Sequence, residues 1–196
     1  MDRQRPCETT VRDSRTAIFV ISGTQGAGKT TVASLLARRF ERGARVSADT
    51  LQRMIASGAE WPTAGQTTVN TDVEGEAARQ LRLRLRNMCL LGRSFFEAGF
   101  TAVLDDIVVG LRIDDMRQDL AGMEFMFVML TPDIATVRER ERQRGTELWR
   151  EWEWLTQDVL DAEPSVGLWL DSSGQTAEET VDEIMRRAWD EAVVRA

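Results

Sequence analysis

Apolar residues along this chain fall into two patterns: short unbroken runs, and longer stretches in which they recur every three or four positions. The runs suit buried parallel strands, apolar on both faces, and the periodic stretches suit amphipathic helices. The first run is Thr16 to Ser22 (TAIFVIS). Glycines follow it, then a predicted helix from Lys29 to Arg42 with Val32, Leu35, Leu36 and Phe40 on one face. Ala44 to Ala48 reads as a second strand, with a helix starting at Asp49 or Thr50. Residues 57–74 are polar and loop-like, carrying Trp61 and Pro62. A long helix is predicted from Glu74 to Ala98, with Ala77, Leu81, Leu85, Met88, Leu91 and Phe95 facing inward. Within it the LRLRLR stretch at 81–86 alternates like a strand, but the wider period favours the helix. Thr101 to Asp105 and Glu124 to Leu130 are the third and fourth runs. An arginine-rich helix spans Pro132 to Arg144, and a tryptophan-rich segment at 146–163 reads as helical. Val166 to Leu170 is a fifth strand, and Thr176 to Val194 a closing helix with Ala177, Val181, Ile184 and Ala188 inward.

Strands alternating with helices predict a three-layer α/β/α domain around a five-stranded, mostly parallel sheet. That domain takes in residues 16–196, with a short helical lid at about 138–163, and residues 1–15 form a flexible polar arm.

Composition narrows the chemistry. No apolar run approaches the length of a membrane span, and the N-terminus lacks the apolar core of a secretory signal, which predicts a soluble cytoplasmic protein. Basic residues number 25 against 32 acidic ones, a formal net charge of −7 that disfavours a nucleic-acid partner or a membrane surface. Histidine and tyrosine are both absent, which removes every His-dependent triad, metal site and proton shuttle. Cys7 and Cys89 make neither a disulfide framework nor a zinc site. Proton transfer therefore falls to carboxylates, and any metal to oxygen ligands. Among the basic residues only Lys29 is a lysine. That singles it out as a position where a planar guanidinium does not replace a compact ammonium.

Lys29 closes the segment Gly23-Thr24-Gln25-Gly26-Ala27-Gly28-Lys29-Thr30, which is G-x-x-x-x-G-K-S/T between a strand and a helix. Such a P-loop curls so that successive amides, here running on to Thr31, cradle the phosphates of a nucleotide. Lys29 is expected on the β- and γ-phosphates and Thr30 on Mg²⁺. With no second lysine the guanine-reading Asn-Lys-x-Asp motif cannot occur, and the chain is too short for an AAA+ module. The small-kinase class remains. Asp49, at the end of the second strand, is placed to accept the proton of an acceptor hydroxyl, or simply to cap its helix. Arg53, one turn on, and Trp61 in the following loop are candidate acceptor contacts. Asp105 ends the third strand with Asp106 beside it; one of the two is expected on Mg²⁺, with Asp105 as the candidate, and the other, Asp106, on the acceptor, though the sequence leaves their order open. Arg138, Arg140, Arg142 and Arg144 share one helix; interleaved glutamates make a solvated face of them, while Arg140 and Arg144 are the pair expected to meet charge on the transferring phosphoryl group. Arg150 is a further candidate. Trp149, Trp152 and Trp154 are read as core packing before base stacking.

Taken together, GTQGAGKT at 23–30, SADTLQRMI at 47–55, AVLDDIV at 102–108, RERQRG at 140–145 and GLWLDSSGQTAEETVDEI at 167–184 resemble the P-loop kinases related to chloramphenicol phosphotransferase and, more distantly, the zeta toxins. The resemblance implies a kinase-type strand order, ATP as donor, Mg²⁺, Asp49 as base, Arg140 and Arg144 as lid arginines, and phosphorylation of a small-molecule hydroxyl. The 57–73 loop matches nothing in those antibiotic kinases, so an antibiotic is one acceptor class and a nucleoside-like compound another. A nucleoside or nucleotide kinase and a non-catalytic ATP-binding switch are the alternatives, as a monomer or homodimer.

Overall fold

The computed structural model describes residues 12–61, 75–145, 149–161 and 166–196. Five strands run parallel: β1 (Ile18–Gly23), β2 (Gly43–Ser47), β3 (Thr101–Asp105), β4 (Glu124–Leu130) and β5 (Leu168–Leu170), in the order β2-β3-β1-β4-β5. β1 is central, paired to β3 with Ile21 opposite Asp105, and to β4 with Gly23 opposite Leu130. Its alternate residues feed different layers. Ile18 and Val20 join one buried cluster, Phe19 and Ile21 the other, which is why the strand reads as an unbroken apolar run.

Helices α1 (Lys29–Ala37) and α7 (Ala177–Glu191) cover one face through Val32, Leu36, Val181, Ile184 and Ala188. The other face is covered by α2 (Ala48–Arg53), α3 (Glu76–Glu97), α4 (Arg112–Asp119) and α6 (Trp149–Asp161), with Leu85, Met88, Met116, Leu155 and Val159 buried. α5 (Ile134–Arg144) begins at Asp133, whose side chain accepts the amide of Thr136, and ends on Gly145 in the left-handed conformation. Among the described residues no helix is long and apolar enough to cross a membrane.

The pattern-based expectations fail at identifiable places. The first helix stops at Ala37 rather than Arg42, because Phe40 turns inward and forms a parallel bridge with Asp13. That bridge, with Arg15 stacked 3.8 Å over Trp189, fastens residues that were expected to belong to a flexible arm; residues 1–11 lie outside the described residues. On α3 the buried stripe runs through Cys89 and Gly92, and Leu91 is exposed. A Cβ at Gly92 would sit 3.0 Å from both methyls of Leu104, so glycine sets how closely α3 approaches β3. α4 was not anticipated. The closing helix is also shorter than expected: Val193–Arg195 form β6, antiparallel to the start of β4, with Val194 buried.

Candidate active site

β1 delivers the chain into the phosphate loop. Gly23, at φ 144°, lies so close to β4 that a Cβ would stand 2.8 Å from the Leu130 carbonyl oxygen. Gly28, at φ 95°, is the N-cap of α1 and contributes no side chain to its capping. α1 also has no acidic residue in its first turn, so its leading amides and dipole are left for an anion. Lys29 folds back over the loop, its Nζ donating to the Thr24 carbonyl at 2.8 Å. Burial pushes the Lys29 ammonium down to about 8, against the opposing pull of Asp106, Asp49 and Asp105. The three carboxylates named from sequence thus act on the loop lysine through their charge.

Their surroundings differ. Asp105 is brought beside the loop by the β1–β3 pairing, and Thr30 Oγ1 stands 3.5 Å from its Oδ2. Both its oxygens are also engaged by Arg45 of β2, at 2.8 and 3.1 Å. Asp106 is buried and paired with Arg84 of α3 at 2.7 and 3.3 Å, while its Oδ1 accepts the Ile107 amide. The loop that follows is tied to β1, because the Ser22 hydroxyl donates to the Val108 carbonyl at 2.9 Å and accepts the Val108 amide at 3.0 Å. Asp49 is exposed in the first turn of α2, where Ser47 and not Asp49 takes the N-cap position. Arg53 is exposed one turn further on, and Trp61 is 47% exposed where the described chain breaks off. Residues 58–60 are held by buried Gln52 and Gln80, whose amides donate to the carbonyls of Glu60 and Gly58.

On the other side of the loop, Arg140 reaches across from α5. Its guanidinium donates to the carbonyls of Ala27 at 3.1 Å, Ser172 at 2.8 Å and Gln175 at 3.4 Å. It therefore joins the phosphate loop to the segment between β5 and α7, a fastening that sequence spacing alone does not reveal. Arg144 lies 3.8 Å from the buried Glu141, which packs against Gly26. Arg140 and Arg144 line a cleft of about 290 Å³ with Ala27, Gly28, Ser172 and Gln175. The Ser172 hydroxyl is buried there without a hydrogen-bond partner. Arg138 pairs with Glu153 and Arg142 with Glu139, as a salt-bridged helix face would. Arg150 is exposed on α6, and Trp154 packs against the core. The side chains of Trp149 and Trp152 lie outside the described residues.

A family model described as chloramphenicol phosphotransferase-like protein matches residues 16–189. No curated protein matches the chain in sequence. Among solved structures, an unliganded sugar kinase from Janibacter sp. aligns with a TM-score of 0.62 at 18% identity, covering 91% of this chain and 96% of the other. The APS kinase of Mycobacterium tuberculosis in complex with AMPPNP and APS aligns at 0.59 and 16% identity, covering 89% and 98%. The shikimate kinase of Acinetobacter baumannii in complex with shikimate aligns at 0.53 and 17% identity, covering 88% and 93%. At these identities the likeness is one of fold.

Proposed function

The chain belongs to the chloramphenicol phosphotransferase-like family, and from that premise we propose that it transfers the γ-phosphoryl group of ATP to a hydroxyl of a small molecule. The observation that carries the reading is a glycine loop that opens a helix, with Lys29 folded over it and Thr30 Oγ1 3.5 Å from the Asp105 carboxylate. A loop of this kind grips a polyphosphate, and a carboxylate at its mouth is what an attacking hydroxyl requires.

In this mechanism Lys29 and the amides of residues 23–31 hold the β- and γ-phosphates in place. Asp49, exposed on the acceptor side, orients the hydroxyl and takes its proton. The acceptor oxygen then bonds to the γ-phosphorus as the bond to the bridging oxygen of ADP breaks. Thr30 and Asp105 are hard oxygen donors close enough to share one ion, which suits Mg²⁺. Among the described residues no cluster of three or more acidic, cysteine or histidine side chains stands ready to hold a metal alone, so phosphate and water oxygens would complete the coordination. When bound, Mg²⁺ supplies charge neutralisation at the phosphate oxygens. The cleft between Arg140 and Ser172 supports a nucleobase pocket beside the loop. Arg144, at the rim of the same cleft, is the arginine that remains available to the phosphates, because Arg140 is committed to backbone carbonyls.

The test is ADP release from Mg²⁺-ATP against a library of hydroxylated metabolites, nucleosides and antibiotics, with Lys29→Ala as the blank. Acceptor-stimulated turnover that disappears in the blank supports a kinase and identifies the acceptor class. Nucleotide binding without stimulation by any acceptor would move the reading to a non-catalytic switch.

A further inference from the structure

The charges around the acceptor side of the phosphate loop do not cancel by pairs. Arg45 is committed to Asp105 by two hydrogen bonds and Arg84 to Asp106 by two more. Lys29 is committed to the phosphates in the reading above, and Asp49 to the acceptor hydroxyl. Arg53 is exposed to water, which leaves one part-buried cation among the described residues. Arg112, the first residue of α4, makes a single long hydrogen bond from NH1 to the Ile107 carbonyl, at 3.3 Å, and no ion pair among the described residues. Its acidic neighbours are already engaged: Asp106 by Arg84, and Asp115 by Arg82.

Exposed arginines without partners are unremarked on any protein surface, since water solvates them. Arg53 is of that kind. Arg112 differs in being partly buried. Burial lowers its guanidinium pKa, opposed by Asp106 and Asp115 and reinforced by Arg84. A guanidinium partly withdrawn from water gains from an anion that meets it. Nor is it loosely placed. The 106–111 loop that leads into α4 is pinned to the phosphate loop strand by the two Ser22–Val108 hydrogen bonds. The Ile113 amide donates to Gly110, and Ile113 and Met116 anchor the helix in the core. The guanidinium is therefore preorganised at the carboxyl end of β3, next to the buried Arg84–Asp106 pair.

We propose that Arg112 is an anion-recognition residue of the acceptor site, with Arg84 behind it, and that the acceptor is a hydroxylated compound bearing a carboxylate, sulfate or phosphate group. The planar fork of an arginine suits a two-point grip on each of those groups. The acceptor hydroxyl would be presented to Asp49 while its anionic end is held at Arg112. This inference rests on the kinase reading for its hydroxyl end only; the anion subsite stands by itself.

The experiment uses matched probes: D-gluconate with D-glucitol, shikimate with its methyl ester, glycerol phosphate with glycerol, and choline sulfate with choline. Each is titrated against the full chain saturated with Mg²⁺-AMPPNP, so that the phosphate loop is already filled, and each is assayed for stimulated ADP release. Binding is expected for anionic members of at least one pair and not for the neutral ones, and which pair responds separates carboxylate from sulfate and phosphate. Arg112→Gln is expected to weaken that binding, and to raise KM, by roughly 10–100-fold with kcat changed far less. Arg112→Lys should recover part of the loss, and unchanged AMPPNP affinity would certify that both variants are folded. Neutral probes that bind as well as anionic ones, anionic probes indifferent to Arg112, or no binding by any pair would each overturn the proposal. Anionic binding that depends on Arg112 without any ADP release would leave the subsite standing and sink the kinase reading instead.

Discussion

Replacing Arg140 by alanine separates two roles that sequence spacing confounds. If Arg140 acts on the transferring phosphoryl group, its loss lowers kcat and leaves the nucleotide-free protein as stable as before. The structure gives it other work, since two of its donor contacts, to Ala27 at 3.1 Å and Ser172 at 2.8 Å, are short and cross between separate segments. Hydrogen bonds from a charged donor contribute more than neutral ones, but this side chain borders an open cleft through which water can reach the carbonyls it leaves. Discounted for that, the clamp contributes about 2 kcal/mol in total. For a domain of this size the melting temperature would fall by about 4–8 °C. The measurement is thermal unfolding of the nucleotide-free protein by calorimetry, followed by AMPPNP affinity. Affinity should weaken as well, because the phosphate loop and residues 172–175 lose the side chain that sets their spacing. A melting temperature unchanged within about 1 °C, together with a large fall in kcat at constant ATP KM, would refute the clamp and restore the catalytic role.

Three further outcomes follow from the same geometry. Asp49→Asn should reduce kcat by about 10²–10⁴-fold while AMPPNP affinity stays within roughly twofold, since the residue is exposed on the acceptor side and touches no phosphate; steady-state kinetics beside a binding titration checks both. Lys29, held at about 8 by burial against the 10.5 of a free lysine, carries charge below pH 8 and loses it above, so nucleotide affinity should be flat up to about pH 8 and fall beyond it. The sign for stability is opposite. The unfolded chain binds more protons than the folded one between those two values, so the nucleotide-free protein should gain stability from this group as pH rises from about 8 to 10.5, and Lys29→Met should remove that gain in a urea-unfolding series.

Strands buried on both faces were legible because nothing polar interrupts them, and β3 and β4 begin and end where their apolar runs do. α4 escaped notice because RIDDMRQD offers only Ile113 and Met116 to the core, too little to impose a period. β6 was absorbed into the preceding helix, since a strand of Val193, Val194 and Arg195 has no pattern of its own and exists only through pairing with β4. Leu91 fits the three-to-four spacing yet is exposed, whereas the buried stripe runs through Cys89 and Gly92, and at Gly92 α3 comes too close to Leu104 for a side chain. The phosphate loop was fully written in its glycines and lone lysine. The arginines around it were not. Arg45 and Arg84 meet Asp105 and Asp106 from β2 and α3, and Arg112 of α4 meets the Ile107 carbonyl, through a strand order that local spacing does not contain.

The central place of β1 has a consequence for the order in which the molecule can be made. Its partners are β3 and β4, so Ile18–Gly23 must wait for residues 101–105 and 124–130 before either edge is satisfied. At about 5–20 residues per second on the ribosome, that interval is of the order of ten seconds. Throughout it, an unpaired apolar strand precedes a glycine-rich turn that has nothing to hold its shape. The nascent chain thus carries the sequence of the phosphate loop long before it carries the loop, and on the proposed kinase reading a nucleotide can assist folding only after Leu130 has left the exit tunnel.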